Sequence, residues 1–367
     1  MSNNMVYLNN AATSYPKPPS VVKAMTAAMD CPPNSPLRSN AMGCGLLPSL
    51  RHRLGRLLGI ADTDRIFFCS SATDAVNRVL GGLRWSGYAF SANSHNSILR
   101  PMANNLLHDA GSKFSVMAYN HCSNVTGEII DVRHECEDAH RKGYLFLLDA
   151  AQSAGCIPID VDGWGVDMLV FTGHKALFGP TGTGGYYVRR GIPLRPTQFG
   201  GTGRDSSIIT YDDGDWEYEV GTQNMVGLAG LKAGVDYVLE RGVENIFKKQ
   251  QRQTAWLIET LRAIRNVSLY VASTHRPTAN SQRPMANSRQ GPIVSFNIEG
   301  LQPADVGYIL QNSYGITVRT GLHCAPLLHQ QLGTGEYGTV RVSLSDFTTQ
   351  EDLDALVAAV RDIANSL

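Results

Sequence analysis

The chain alternates short apolar runs with segments of helical periodicity through its first two thirds. Apolar runs occupy residues 65–69, 144–148 and 168–171, and helical patterns lie between them. This alternation is typical of an α/β fold, in which helices connect the strands of a mostly parallel sheet. The pattern therefore predicts a large α/β domain.

Two helical segments flank this region. Pro18 and Pro19 suit the first turn of a helix, which we expect to run to about Met29. Residues 225–262 contain no proline and have the pattern of long helical segments. We expect this stretch to form a bridge to a second, smaller domain.

From residue 267 the pattern changes to the mixed order of an α+β domain. It predicts a helix over about residues 303–312 and short strands at residues 268–271, 293–298, 316–319 and 339–343. In the last helix, Thr348 and Glu351 have the spacing of a capping box, and an apolar face follows them.

The predicted chain has three parts. An N-terminal segment covers residues 1–20, and a large domain with a mostly parallel sheet covers residues 21–240. A smaller α+β domain, which carries a loop with a cysteine, covers residues 241–367.

Between two of the C-terminal strands lies a polar near-repeat of seven residues. Residues 276–282 and 283–289 both begin with Arg-Pro and continue with mostly small and polar side chains. A repeat this short is not a solenoid unit, so we interpret the segment as an exposed, mobile loop insertion. The alternative is a docking arm, because long polar loops sometimes act as lids or binding elements.

Composition and charge narrow the classes of partner. The 367 residues are 43% hydrophobic and 17% charged, and 32 basic side chains balance 32 acidic ones. This balance leaves no long-range field to attract nucleic acid or an anionic membrane, so we expect a small-molecule substrate. The seven cysteines form no C-x-x-C pair and no zinc-ligand spacing, which argues against a disulfide framework and a metal site.

The sequence also bears on location. No stretch approaches the roughly 18 uninterrupted apolar residues of a membrane-spanning helix, and the first residues lack the pattern of a signal peptide. We therefore expect a cytoplasmic protein.

The most informative segment ends a buried strand in a His-Lys pair. Residues 167–175 are Asp-Met-Leu-Val-Phe-Thr-Gly-His-Lys, and a glycine-rich turn follows at residues 179–185. A lysine at the carboxyl end of a parallel strand lies where α/β sheets bind ligands, and desolvation frees its amine to form an imine. A Walker phosphate loop is excluded, because its lysine would follow the glycines. For this segment alone, a surface lysine beside a turn is the alternative.

Other strand ends carry polar residues. Asp149 follows a run of apolar residues and is either a helix cap or a charge that faces a cationic ligand. Residues 70–75 follow a strand and open a helix, where small hydroxyl side chains either cap the helix or hold a phosphate on free N–H groups. His95, taken alone, is an ordinary polar or core histidine.

Near the C-terminus a cysteine lies between two arginines. Residues 319–326 are Arg-Thr-Gly-Leu-His-Cys-Ala-Pro, and Arg341 follows. The neighbouring His323 and the arginines before and after favour the thiolate form of Cys324, and an arginine binds a carboxylate through two parallel hydrogen bonds. The alternative is a buried structural thiol with surface arginines.

Taken in order, these motifs resemble the fold-type I pyridoxal phosphate (PLP) enzymes of aminotransferase class V. The resemblance is to the group II branch of cysteine desulfurases and selenocysteine lyases, and it extends from residues 7–13 to the last helix. A desulfurase-like subgroup has a pattern similar to Gly-Leu-His-Cys-Ala-Pro at residues 321–326. The resemblance implies a homodimer with a large PLP-binding domain and a smaller α+β domain.

The resemblance also implies a role for each motif. The implied catalytic residues are Lys175, which would form the imine with PLP, Cys324 and His95. The residues that would hold the cofactor are Ala72 and Thr73 at the phosphate, His95 on the ring face, Asn124 beside the ring, Asp149 at the pyridine nitrogen, Gln152 at the ring hydroxyl, and Thr172 and His174 at the phosphate or in proton transfer. Thr222 would reach the phosphate of the neighbouring subunit.

For the substrate, the resemblance implies that Arg341 binds the carboxylate of L-cysteine, with Arg319 and Asn124 also at the substrate. The reaction would convert L-cysteine to L-alanine and leave the sulfur on Cys324 as a persulfide, for delivery to an acceptor such as another protein. Selenium chemistry needs the same imine, carboxylate clamp and soft nucleophile, so these residues do not distinguish selenocysteine from cysteine.

Three positions depart from the pattern of the branch. Leu322 stands where the branch has another histidine before the cysteine, Ser94 where an acidic residue precedes the stacking histidine, and Asn9 where an aspartate is usual. These departures leave the PLP residues in place and bear on the substrate and the sulfur acceptor.

Two other functions stay open on the sequence. A PLP-dependent aminotransferase or a carbon–sulfur (or selenocysteine) lyase would use the same residues, with Cys324 as a structural thiol. A non-catalytic binding or scaffold protein would use the near-repeat loop as its contact surface. A scaffold, however, has no physical reason to keep Lys175, Asp149, His95 and Arg341 in order.

Overall fold

The computed structural model describes residues 5–30, 45–104, 109–201, 207, 209–210, 218–272 and 289–367. The predicted loop insertion at residues 276–289 lies outside the described residues apart from its last position, which begins a short strand.

Within the described residues the strands are β1 (Val6–Tyr7), β2 (Ile66–Cys69), β3 (Gly87–Phe90), β4 (Ser115–Asn120), β5 (Glu128–Ile129), β6 (Tyr144–Asp149), β7 (Met168–Thr172), β8 (Gly184–Val188), β9 (Val267–Tyr270), β10 (Arg289–Gln290), β11 (Ile293–Ile298), β12 (Ile316–Thr317), β13 (Arg319–Gly321) and β14 (Thr339–Ser343). The α-helices are α1 (Pro19–Asp30), α2 (Leu46–Leu58), α3 (Ala72–Leu83), α4 (Asn96–Ala103), α5 (Val132–Arg141), α6 (Val161–Trp164), α7 (Met225–Arg241), α8 (Val243–Arg262), α9 (Pro303–Tyr314), α10 (Pro326–Gln331) and α11 (Gln350–Asn365).

The main sheet has the strand order β2-β8-β7-β6-β4-β3 among the described residues. Strands β3, β4, β6 and β7 are parallel neighbours, whereas β8 is antiparallel to both β7 and β2. The predicted α/β fold with a mostly parallel sheet is therefore confirmed. The carboxyl ends of β4, β6 and β7 meet at one edge, where open α/β sheets bind ligands.

Helices cover both faces of this sheet. In β6, Phe146 and Leu148 pack into the core beneath α2, α5 and α7, while Leu147 packs into the core beneath α3 and α4. Successive side chains of a strand point to opposite faces, so a strand buried on both faces needs a continuous apolar run. This is the physical reason that the apolar runs in the sequence predicted these strands correctly.

The C-terminal part has a second sheet of order β13-β14-β11-β9, antiparallel throughout, with its own apolar core. The helix α8 contributes Ile246 and Phe247 to the core of the main sheet and Leu257 and Leu261 to this core. It forms the bridge that the proline-free pattern predicted. The N-terminal strand β1 pairs with β12, and the proposed boundaries at residues 20 and 240 stay predictions.

Two details of the sequence-based prediction were wrong. The expected strand at residues 316–319 is divided, because its first part pairs with β1 and its second part pairs with β14. The capping box of the last helix lies one residue later, where Thr349 and Asp352 exchange hydrogen bonds. Thr348 is not available for it, since its hydroxyl accepts a bond from the Ser345 N–H at 2.9 Å.

No helix in the described part of the chain is both long and apolar enough to cross a membrane.

Candidate active site

A cavity of about 230 Å³ opens at the carboxyl edge of the main sheet, against the second sheet. It is lined by side chains from both halves of the chain, which come together although they are far apart in sequence. The lining residues that the sequence predicted are Ala72, Thr73, His95, Asn124, Asp149, Gln152, Thr172, His174, Lys175, Arg319, Cys324 and Arg341.

Lys175 follows β7 and lines this cavity. The turn around it is closed by two backbone bonds, from the Gly173 N–H to the Thr183 carbonyl at 2.8 Å and from the Phe178 N–H to the Lys175 carbonyl at 2.9 Å. Burial lowers the pKa of Lys175 to about 8, although the Asp149 carboxyl opposes this shift. The side chain therefore has a free amine near neutral pH far more often than an ordinary lysine has.

Asp149 ends β6 and is buried. Its carboxyl accepts a bond from the Ala151 N–H at 2.9 Å, which fixes the side chain towards the cavity edge. Burial raises the pKa of Asp149, and the Ala151 N–H and Lys175 only partly offset this effect. A cationic ligand group placed against this carboxylate would supply the missing counter-charge.

The start of α3 forms one end of the cavity. Ser71 caps the helix by accepting a bond from the Asp74 N–H at 3.1 Å, and Ala72 and Thr73 line the cavity. Free N–H groups at the positive end of a helix bind anions. The strand β8 passes close by, since a Cβ on Gly184 would lie 2.8 Å from the Ser71 carbonyl carbon.

His95 caps the helix α4 and lines the cavity. Its Nδ1 atom accepts a bond from the Ser97 N–H at 3.0 Å. Burial, with the positive charges of Lys175 and Arg341, lowers the pKa of His95 to about 4. The ring is therefore neutral at physiological pH and suits a contact with a planar ligand.

Two arginines face the cavity from neighbouring strands. Arg319 of β13 and Arg341 of β14 lie directly opposite each other in the ladder, an arrangement that is unfavourable for like charges. Burial and the charge of Arg319 lower the pKa of Arg341 to about 9. Within the described residues neither guanidinium forms an ion pair with a carboxylate, and the buried Nε of Arg341 has no hydrogen-bond partner. The pair is thus suited to bind an acidic ligand.

Cys324 lies on a tight loop between β13 and α10. His323 and Cys324 have φ values of 48° and 59°, the left-handed region that non-glycine residues seldom adopt. Three bonds hold this conformation: Asn96 N–H donates to the Cys324 carbonyl at 2.8 Å, Ala325 N–H donates to the Leu322 carbonyl at 2.9 Å, and the Asn124 amide donates to the His323 carbonyl. The loop therefore presents the thiol to the cavity in a fixed place.

The side chain of His323 does not provide the positive neighbour that the sequence suggested for the cysteine. Its Nε2 donates to the Thr339 carbonyl at 3.1 Å, and burial lowers the pKa of His323 to about 2. The imidazole is neutral, whereas Lys175 and Arg341 are cations that line the same cavity as Cys324.

Comparison with known proteins fits this geometry. The model of the aminotransferase class-V family matches residues 96–356, which include Asp149, Lys175, Cys324 and Arg341. The chain belongs to the class-V aminotransferase family. The fold type that the sequence resemblance implied is thereby confirmed.

Several relatives of this chain carry the name cysteine desulfurase. A probable cysteine desulfurase of Methanothermobacter thermautotrophicus is 30% identical, over 98% of this chain and 94% of that protein. A cysteine desulfurase of Pectobacterium atrosepticum is 28% identical, over 88% of this chain and 84% of that protein. The apo structure of the Thermococcus onnurineus cysteine desulfurase is 27% identical, with a TM-score of 0.86 over 100% of this chain and 96% of that one.

One predicted site residue of this class-V chain lies elsewhere. Thr222 is exposed and is absent from the lining of the cavity, unlike the other predicted residues. The sequence resemblance assigned it to the site of a neighbouring subunit, and that role stays a prediction.

The sequence-based prediction also missed part of the lining. Asn120 ends β4 beside Asp149 and its side-chain oxygen is buried without a hydrogen-bond partner among the described residues. The rule that selected Asp149, a polar residue at the carboxyl end of a parallel strand, would have selected Asn120 too. Ala11 contributes from the N-terminal segment, and a small side chain gives no chemical signal.

Proposed function

We propose that the protein is a PLP-dependent cysteine desulfurase, which converts L-cysteine to L-alanine and transfers the sulfur to Cys324 as a persulfide. The observation that carries this proposal is the position of Cys324, whose loop opens into the same cavity as Lys175 and Arg341. The names of the relatives support the same reaction. An aminotransferase needs no fixed thiol at this place.

The residues of the cavity fit PLP. The start of α3 suits the phosphate and Asp149 suits a protonated ring nitrogen. Three buried polar atoms without a hydrogen-bond partner among the described residues, Asn124 Oδ1, Thr172 Oγ1 and His174 Nδ1, leave capacity for the polar groups of a ligand. Gln152 and His95 complete the set that we expect to hold the cofactor.

PLP supplies, when bound, an electron sink for the bonding pairs released at the substrate. The chain supplies the rest. Arg341 binds the carboxylate, and Lys175, whose pKa of about 8 leaves part of its amine free near neutral pH, takes the proton from Cα. The Cys324 thiolate attacks the substrate sulfur, so that an S–S bond forms while the C–S bond breaks and its electron pair stays on carbon. A proton delivered to that carbon (Cβ) and a proton returned to Cα then give alanine.

The proposal includes a homodimer in which Thr222 reaches the neighbouring cavity, a cytoplasmic location and an acceptor for the persulfide sulfur. The side chain of Leu322, the main departure from the branch, is 37% exposed and does not line the cavity. This position next to Cys324 is more relevant to an approaching acceptor than to the bound amino acid.

The test is the visible spectrum of the purified protein with L-cysteine, together with an alanine assay. We expect a PLP absorption band, alanine formation, and loss of turnover in Cys324→Ala. The matched control is Cys136→Ala, since Cys136 is buried on α5 away from the cavity. Turnover that is unchanged in Cys324→Ala would favour a lyase or an aminotransferase instead. A protein without a PLP absorption band would contradict the proposal.

A further inference from the structure

The carbonyl of His174, the residue before Lys175, receives an unusual number of donors from the N-terminal segment. The Ser14 N–H lies 3.0 Å from it, the Thr13 hydroxyl 3.1 Å and the Ser14 hydroxyl 3.2 Å. The ammonium of Lys17 donates to the same oxygen at 3.0 Å. A carbonyl oxygen has two lone pairs, so these donors crowd one acceptor beside the catalytic turn.

Lys17 is the charged member of this set. It is partly buried, and its ammonium also donates to the Ser14 hydroxyl at 2.8 Å. No carboxylate of the described residues forms an ion pair with it, and burial lowers its pKa to about 8. A lysine that served only to anchor a surface segment would keep its ammonium in water, because the long stem allows this at little cost.

The same segment reaches the strand of the substrate arginine. Ala11 N–H donates to the Ser343 hydroxyl at 2.8 Å, and Ser343 lies two positions after Arg341 on β14. The Ala11 carbonyl accepts a bond from the Gln152 amide at 3.2 Å. The N-terminal segment therefore ties the turn of Lys175 to the strand that carries Arg341.

We infer that Lys17 is a positioning residue, whose ammonium fixes the His174 peptide so that the Lys175 amine and a neutral His174 imidazole face the cavity. The role of Lys175 in this inference rests on the proposed function, whereas the effect of Lys17 on the pKa of His174 does not. Burial and the charges of Lys175 and Lys17 lower the pKa of His174 to about 4, so the ammonium that holds the His174 carbonyl also acts on the imidazole of the same residue.

The test compares Lys17→Met, Lys17→Gln and Lys17→Arg with Lys23→Met, a control at an exposed lysine of α1. In the apo protein, NMR titration of labelled histidines, with His174 assigned through His174→Gln, reports the imidazole directly. We expect the pKa of His174 to rise by about one unit in the Met and Gln variants, because a nearby positive charge has been removed. It should stay unchanged in the Arg and Lys23 variants.

The second readout is steady-state desulfuration of L-cysteine by the PLP-loaded protein. We expect kcat to fall about tenfold in Lys17→Met with little change in KM, because the turn of Lys175 is loosened while Arg341 is untouched. Lys17→Arg should restore most of the rate. If the Lys17→Met variant does not fold, the comparison of Lys17→Gln with Lys17→Arg tests the inference in the same way.

Equal His174 titration and equal kcat in all variants would overturn the inference. A shifted His174 titration in a protein with no desulfurase activity, even as wild type, would refute the proposed function while upholding the placement of Lys17.

Discussion

Among the single residues of the site, the proposed chemistry depends most on a lysine that is kept partly deprotonated. Lys175 lies at the end of β7, where burial outweighs the attraction of Asp149 and lowers its pKa to about 8. This arrangement lowers the stability of the folded protein near neutral pH, because the Lys175 amine binds its proton less tightly there than in the unfolded chain. Catalytic groups are commonly held at such a cost.

A pH dependence of stability follows for the apo protein. Between about pH 8 and the ordinary lysine value of 10.5, only the unfolded chain keeps the proton, so the free energy of unfolding rises with pH. Lys175→Met lacks this gain. We expect the stability of the wild type to increase relative to the variant by about 2 kcal/mol over this window. Thermal unfolding at pH 7 and pH 10 measures it, and a constant difference between the two proteins would refute the assignment.

At the scale of elements, the sequence predicted what depends on local pattern. Doubly buried strands such as β6 and β7 need continuous apolar runs, and these runs also located Asp149 and Lys175 at their carboxyl ends. The division of the strand at residues 316–319 could not be predicted, because it depends on pairing with β1 about 310 residues earlier.

The same limit applies to contacts between segments that are far apart in the sequence. The cysteine loop is held by the N–H of Asn96 and the side chain of Asn124, and neither contact leaves a pattern near Cys324 in the sequence. Lys17 was missed for a similar reason, since a lone lysine between prolines has no motif that would mark it. The site residues that the family resemblance supplied came from motifs, and contacts between distant segments had to come from the structure.

At the scale of the whole molecule, the cavity lies where the main sheet meets the second sheet. The helix α8 belongs to both cores, and the N-terminal segment links β14 to the turn after β7. The chain thus brings Lys175 from one half and Cys324 from the other into one cavity. Thr222 is the predicted site residue that does not join them within one chain.

A subunit-mixing experiment tests whether Thr222 acts in the neighbouring subunit. Thr222→Glu would repel a phosphate and Lys175→Ala lacks the amine, so each homodimer should be nearly inactive. In a mixed dimer, one site would combine the intact Lys175 of one chain with the intact Thr222 of the other, and we expect up to about half of the wild-type activity to return. No recovery in purified mixed dimers would mean that Thr222 serves its own chain.

In the proposed reaction Cys324 takes the sulfur of the substrate. The most direct measurement is mass spectrometry of the peptide that carries Cys324, after the PLP-loaded protein reacts with L-cysteine in the absence of an acceptor and persulfides are trapped by alkylation. We expect one extra sulfur on Cys324 in amounts that match the first turnover of alanine, with the same result in Cys136→Ala. A normal first turnover of alanine with no extra sulfur on Cys324 would contradict the proposed role of this residue.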